Sequence, residues 1–234
     1  MRMKPIICAI FTVLGLVSFG SFLAHADPDQ STSASEIEFT CVSWKPLGYP
    51  ELFYRNGDDY IKIEVSTRKR SEAYSHQAHQ AFELYVPQTN SVGDSGYALV
   101  GQGMPQAGVE RMLFVVEKNV SEEGLPLQLR GFDDSLETCP IGAFCFANLT
   151  EEALEVHFGE TVNALHPDTI SVIKDAVALS GGFIPFFLKD ENGKIVVETR
   201  LFGQTTGRKM VFIYPPKANR RKFSVQFLSE ISSQ

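Results

Sequence analysis

The sequence predicts an all-β protein, a tandem duplication of one immunoglobulin-like antiparallel β-sandwich. Short apolar runs alternate with turn residues from Ile37 onward, the cadence of strands joined by tight connections. Phe occurs 18 times and Trp once, at Trp44, and runs of aromatic and β-branched residues fit a pleated, half-buried surface. The third observation is an internal repeat of about 100 residues, the size of one sandwich of some seven strands and too long for a solenoid unit.

The chain opens on a different kind of segment. Arg2 and Lys4 precede an apolar run from Ile6 to Leu23, and Ala24-His25-Ala26 follows with small residues where a signal peptidase reads. Residues 1–26 are therefore expected to be a signal peptide, with Asp27 as the mature N-terminus. The alternative is an uncleaved anchor, for which the run is long enough. No second apolar stretch is long enough to span a membrane, so no stable insertion is expected after cleavage. Residues 27–36 lack apolar side chains before the final glutamate and predict a flexible leader.

The repeat divides the rest at 37–138 and 139–234. Ile61, Ile63 and Val65 alternate with polar residues as Leu154, Val156 and Phe158 do 93 positions later. Leu84-Tyr85-Val86 matches Phe186-Phe187-Leu188 at a shift of 102, and Gly101-Gln102 matches Gly203-Gln204. Met112-Leu113-Phe114-Val115 matches Met210-Val211-Phe212-Ile213 at a shift of 98, which pairs Phe114 with Phe212. In the second copy strands are expected at 143–148, 153–158, 184–189, 194–202, 208–214 and 222–229. Residues 168–179 fit either a helix or a strand, since Ile170, Ile173 and Val177 have helical spacing in a β-branched run.

Charge excludes one class of partner. The chain holds 21 Lys and Arg against 28 Asp and Glu, a net charge of −7, and loss of Arg2 and Lys4 with the signal peptide makes it −9. Lys69-Arg70 and Arg220-Arg221-Lys222 are the only basic clusters, too short for a nucleic-acid stripe.

No catalytic constellation stands out. Cys139 and Cys145 flank Pro140-Ile141-Gly142 and are disulfide candidates in an oxidising compartment, against the alternative of free buried thiols; Cys41 is left over. His76 and His79 have a spacing that could serve a metal, yet lie in a polar segment that reads as a solvated loop or short helix. His157 is expected at the surface, and no blue-copper pattern of two His, a Cys and a Met forms. Ser95, in Gly93-Asp94-Ser95-Gly96-Tyr97, lacks the second glycine of a nucleophile elbow. The pairs Asp58–Asp59 and Asp133–Asp134 sit beside Gly57 and Gly131 and read as turns. Gly101-Gln102-Gly103 has no following helix with a Lys and is not a phosphate loop. Tyr49, Tyr54, Tyr74 and Trp44 are candidates for an exposed carbohydrate-stacking face. No cofactor or metal site is predicted, and the inward strand positions are expected to hold no titratable group.

The second copy, with Phe146-Ala147-Asn148-Leu149-Thr150, Leu154-Glu155-Val156 and Met210 to Pro216, resembles uncharacterised exported proteins of Verrucomicrobia-type bacteria. The resemblance is clearest over 139–230 and implies an exported context only. The expectation is a non-catalytic envelope or secreted protein, periplasmic or extracellular, acting as an interaction or structural module toward an unknown protein or glycan. The alternative is a carbohydrate- or small-ligand-binding module of an exported system.

Overall fold

Inward and outward residues alternate along sixteen strands in a computed structural model that describes residues 36–89, 93–121, 123–174, 182–203, 207–216 and 223–231. Residues 1–35, with the expected signal peptide and most of the leader, lie outside the described residues, as does Arg220-Arg221-Lys222. No helix occurs among the described residues, and none is long and apolar enough to cross a membrane.

The first eight strands are β1 (Glu36–Val42), β2 (Leu52–Asn56), β3 (Asp59–Ile63), β4 (Tyr74–Gln77), β5 (Phe82–Thr89), β6 (Ser95–Gly103), β7 (Arg111–Lys118) and β8 (Leu127–Asp133). The next eight are β9 (Phe144–Asn148), β10 (Leu154–Phe158), β11 (Thr161–Leu165), β12 (Ile170–Ile173), β13 (Phe183–Lys189), β14 (Ile195–Phe202), β15 (Gly207–Tyr214) and β16 (Ser224–Ile231). Glu36, assigned to the leader on sequence, already belongs to β1. The ambiguous segment becomes a strand at Ile170–Ile173, while 175–179 lie outside the described residues.

The second run repeats the first pairing for pairing. β1 pairs antiparallel with β4 and parallel with β7, as β9 does with β12 and β15. β2 pairs antiparallel with β3 and β5, as β10 does with β11 and β13. β5–β6 and β13–β14 match, as do β7–β8 and β15–β16. Small irregularities recur too. The β2–β3 and β10–β11 hairpins both turn on a two-residue loop led by a glycine with φ near +60°, Gly57 and Gly159. A register shift follows Leu84 in the first run and Leu188 in the second.

The strand corner after β1 and β9 gives a finer match. Ser43 and Asn148 are buried polar residues whose side-chain oxygens accept the backbone N–H two residues on, from Lys45 at 3.4 Å and Thr150 at 2.9 Å. Their carbonyls accept from Arg68 and Asp168, the two described non-glycine residues with positive φ.

Register corrects the alignment read from sequence. Ile63 lies on β3 and Val156 on β10, so the counterpart of Ile63 is Leu165 and that of Val156 is Tyr54. The bulges set Leu84 opposite Leu188 in the comparison, two positions from the expected Phe186. Phe114 packs in the core of the first run, whereas Phe212 faces the other run. Val211 is the residue that faces its own core as Phe114 does. Similar residue types aligned one position out, and one position in a strand exchanges the two faces.

Three cores result. The first eight strands form one sheet in the order β3-β2-β5-β6-β8-β7-β1-β4. It folds over at the two-residue contact of β6 with β8, enclosing a core that includes Phe39, Tyr54, Phe82, Leu84 and Phe114. The second run makes two four-stranded sheets, β11-β10-β13-β14 and β12-β9-β15-β16, around Phe144, Phe146, Phe158 and Phe186. A middle core joins the runs, with Val42, Leu113, Val115 and Phe132 on one side and Cys145, Ala147, Met210 and Phe212 on the other. Residues 34–234 consequently form one compact unit. The central strands β7, β9 and β15 are covered on both faces over Met112–Val116, Phe144–Ala147 and Met210–Ile213, which explains their continuous apolar runs, while β1 alternates at its start before Phe39–Val42 is buried.

Candidate functional site

The seam between the two runs concentrates buried polarity. At one end Asp134, fully buried just past β8, lies among Arg70, Arg208 and Arg111. Arg208, only 2 % exposed, bonds Asp134 Oδ1 at 3.0 Å, the Asp134 carbonyl at 2.8 Å and Glu230 at 2.6 Å. Arg70 donates to Asp134 and Thr40 and forms an ion pair with Glu230, and Arg111 reaches Glu38 at 3.0 Å. Burial pushes the Asp134 carboxyl upward against the pull of Arg70 and Arg208. Its hydrogen-bonding capacity is spent within the protein, so the cluster joins the runs and offers no open coordination position.

Further along the seam lies an open cleft of about 420 Å³ lined by residues including Gln106, Gln128, Arg130, Thr150 and Asp168. Arg130 spans it, donating to the Leu149 carbonyl at 2.6 Å and reaching Asp168 at 3.3 Å. Behind it burial raises the pKa of Glu117, opposed by Arg130 and Lys45. Burial also drives the Tyr214 phenol up, assisted by Glu117. Shifted groups beside a cleft are candidates for function. Here they are a single carboxyl and a phenol.

The outer sheets present a different surface. On β3-β2-β5-β6, Tyr60 stacks on Tyr97 at 4.0 Å and 9°, over Tyr85 at 5.0 Å and Phe53 at 5.1 Å. On β11-β10-β13-β14, Phe183 meets Phe202 edge-on at 5.5 Å, and His157 stacks on Phe187 at 4.2 Å. Tyr60, Tyr97, Phe183 and Phe202 remain between 37 % and 57 % exposed. Sequence alternation alone places these residues outward, but their convergence depends on strand order.

Several residues singled out from sequence sit elsewhere than expected. His76 is neither in a loop nor solvated: it lies on β4, 1 % exposed, against Phe39, Tyr54 and Phe82. Its Nε2 donates to the Gln80 carbonyl at 3.2 Å, Nδ1 has no partner, and burial lowers its pKa. His79 is exposed, and no group of three His, Cys, Asp or Glu suited to a metal forms around the pair among the described residues. Asp134 is a core residue, which with His76 and Arg208 overturns the expectation of cores without titratable groups. Asp133 does stay in its turn, accepting from Ser135 N–H and Thr138 hydroxyl; burial opposes its ionisation, yet these bonds hold its carboxyl low. Of the proposed stacking face, Tyr54 and Trp44 are buried, and Tyr49 and Tyr74 pack on the first core. His157 is half-buried and pairs with Glu155.

Cys139 and Cys145 form a disulfide with Cα atoms 6.0 Å apart in the middle core, and Cys41 is a buried thiol whose pKa burial raises. No group of three or more His, Cys, Asp or Glu side chains suited to a metal occurs among the described residues. Gly101 and Gly103 allow β6 to approach β8, since an added Cβ would lie 2.6 Å from Leu129 and 3.0 Å from Leu129 respectively. The chain matches no protein-family model, and no curated protein matches it.

Proposed function

We propose that this chain is an exported, non-catalytic interaction module, a tandem duplication of one immunoglobulin-like, eight-stranded sandwich. The duplication reading draws on the six shared pairings, the equivalent bulges and the Ser43 and Asn148 corners. Export rests on the charge, apolar run and A-x-A order of residues 1–26.

The observation that carries the interaction role is the exposed aromatic cluster on each outer sheet. Large rings at solvent-facing positions add nothing to the cores beneath, and exposed apolar clusters rimmed by polar groups are a common mark of binding surfaces. The central sheets and the charged seam would hold both faces at fixed positions.

The test is capture by an envelope fraction of the producing cells. Wild-type mature protein is compared with a Tyr97→Ala, Phe202→Ala double variant of unchanged melting temperature. Reduced capture of the variant is expected; equal capture, or none by either protein, would remove the interaction role.

A further inference from the structure

The tyrosine cluster of the first outer sheet has the composition of a sugar-binding platform. Tyr60 on β3 and Tyr97 on β6 occupy the two outermost strands of β3-β2-β5-β6. A flat face would set them roughly 14 Å apart at about 4.8 Å per strand, more than two tyrosine side chains with rings 4.0 Å apart can span, so the face curls to bring them together. Their rings meet above Phe53 and Tyr85, so the four aromatics form a raised ridge in the middle of the face. Tyr85 is nearly covered at 8 % exposure and supports the ridge, while Tyr60 and Tyr97 at 37 % and 41 % form its open surface.

The rim narrows the chemistry of the occupant. Lys62 pairs with Glu51 at 2.8 Å, Arg55 with Asp58 at 3.8 Å, and the Tyr85 hydroxyl donates to Glu83 at 2.5 Å. Two cations stand against three carboxylates there, and each cation already has a carboxylate partner, so an anionic ligand gains no complementary field. Nucleic acid and anionic lipid are further disfavoured by the chain's net charge of −7. A wholly apolar partner would strip water from these rim ions without replacing their hydrogen bonds. A pyranose ring meets both demands. Its C–H face rests on the negative face of an aromatic ring, and its hydroxyls donate to and accept from the rim.

We infer that Tyr60 and Tyr97 bind a neutral oligosaccharide, stacked on the exposed tyrosine rings and hydrogen-bonded by Arg55, Lys62, Glu51 and Glu83. This rests on the reading of the chain as an interaction module, and names the ligand class of one of its two faces. The second aromatic face lacks the tyrosine hydroxyls at its ridge, which is formed by Phe183 and Phe202.

The experiment is calorimetric titration of the mature protein with cellohexaose, laminarihexaose, maltohexaose and chitohexaose. At least one should bind wild-type protein. Tyr60→Ala and Tyr97→Ala should each weaken that binding about tenfold or more, the scale of one lost aromatic contact. Tyr97→Phe should retain most of it, and Phe202→Ala all of it. Saturation transfer from the sugar C–H protons to tyrosine ring protons, absent on Phe183 and Phe202, tests the same contact without a variant. The inference fails if no hexasaccharide binds at millimolar concentration, if both alanine variants bind as wild type, or if saturation reaches only Phe183 and Phe202. Envelope capture that survives Tyr60→Ala and Tyr97→Ala but falls with Phe202→Ala ends the sugar assignment while leaving the module standing.

Discussion

The two runs of strands share their pairings and differ in closure. In the first, β6 touches β8 through Gly101↔Leu127 and Gln102↔Gln128, so two sheets become one. In the second, β14 and β16 lie in separate sheets among the described residues. The bulges at Leu84 and Leu188 make Val197 the counterpart of Gly101, and Thr199 that of Gly103. A Cβ at Gly101 would stand 2.6 Å from Leu129 Cδ1 and 3.0 Å from Leu127 Cβ. The second run carries that carbon and keeps its edges apart. The two runs thus differ in closure and at these two positions on one pairing scheme, Gly101 and Gly103 against Val197 and Thr199.

The largest expected effect addresses what both runs share. Asp134→Ala leaves Arg70 and Arg208 with Glu230 as their shared carboxylate and removes the fully buried one, and should lower stability by about 3 kcal/mol, the low end for breaking a buried pair. Because the middle core belongs to both runs, Trp44 fluorescence and far-UV dichroism should report one common urea transition in wild type and variant alike. Separate transitions would make the runs independent domains.

Exchanging the closure residues comes next. Gly101→Val with Gly103→Thr imports the second run's side chains into a packed contact, and should cost about 1–3 kcal/mol by overpacking. Hydrogen exchange at the β6–β8 contact should quicken while β13–β14 amides keep their protection. Unchanged exchange at Gln102 would show that glycine is not what permits the approach.

Turn chemistry gives a smaller effect. Asp133→Ala removes the acceptor of Ser135 N–H and Thr138 hydroxyl, and should cost about 1 kcal/mol. The loss is read from the midpoint of the same urea curves; a shift no larger than that of Asp58→Ala, a fully solvated control, would make the turn self-sufficient.

The smallest effect separates the two cores by pH. Among the described residues the first run holds a buried histidine, His76, and the second run holds none. Burial lowers the folded pKa of His76 below its ordinary 6.5, so the unfolded chain binds the proton more readily. The linked stability is present above pH 6.5 and lost as pH falls through the lowered folded value. His76→Gln should flatten that part of the melting-temperature profile. An identical acid slope in the variant would assign it to other groups, such as the seam carboxylates.

Strand positions were legible because alternation is local: β13, β14 and β15 fall within a residue or two of where periodicity puts them. β11 was not, since Thr161-Val162-Asn163-Ala164-Leu165 offers only one fully buried position. The buried His76 was hidden by its neighbours Ser75, Gln77 and His79, which are polar because β4 lies at a sheet edge. The buried Asp134 resembled a turn residue, as its neighbour Asp133 is. Its three arginine neighbours come from positions 70, 111 and 208, and no spacing rule connects them. The Tyr60–Tyr97 stack was likewise out of reach, since the rings sit on β3 and β6, which β2 and β5 separate, and only the folded sheet brings them together.

By itself the sequence determined an all-β chain, because a period of two and turn residues act within a few positions. It also carried a repeat of strand-forming segments, since similar side chains at similar spacing survive in the one-dimensional text. Tertiary structure alone decided which face each residue takes, which edges meet, and which charges are buried at the seam. The physical reason is that a single-residue slip inverts a strand, and a single Cβ holds two strands apart. Both are distances between segments far apart in the chain, and sequence encodes them only through the whole packing.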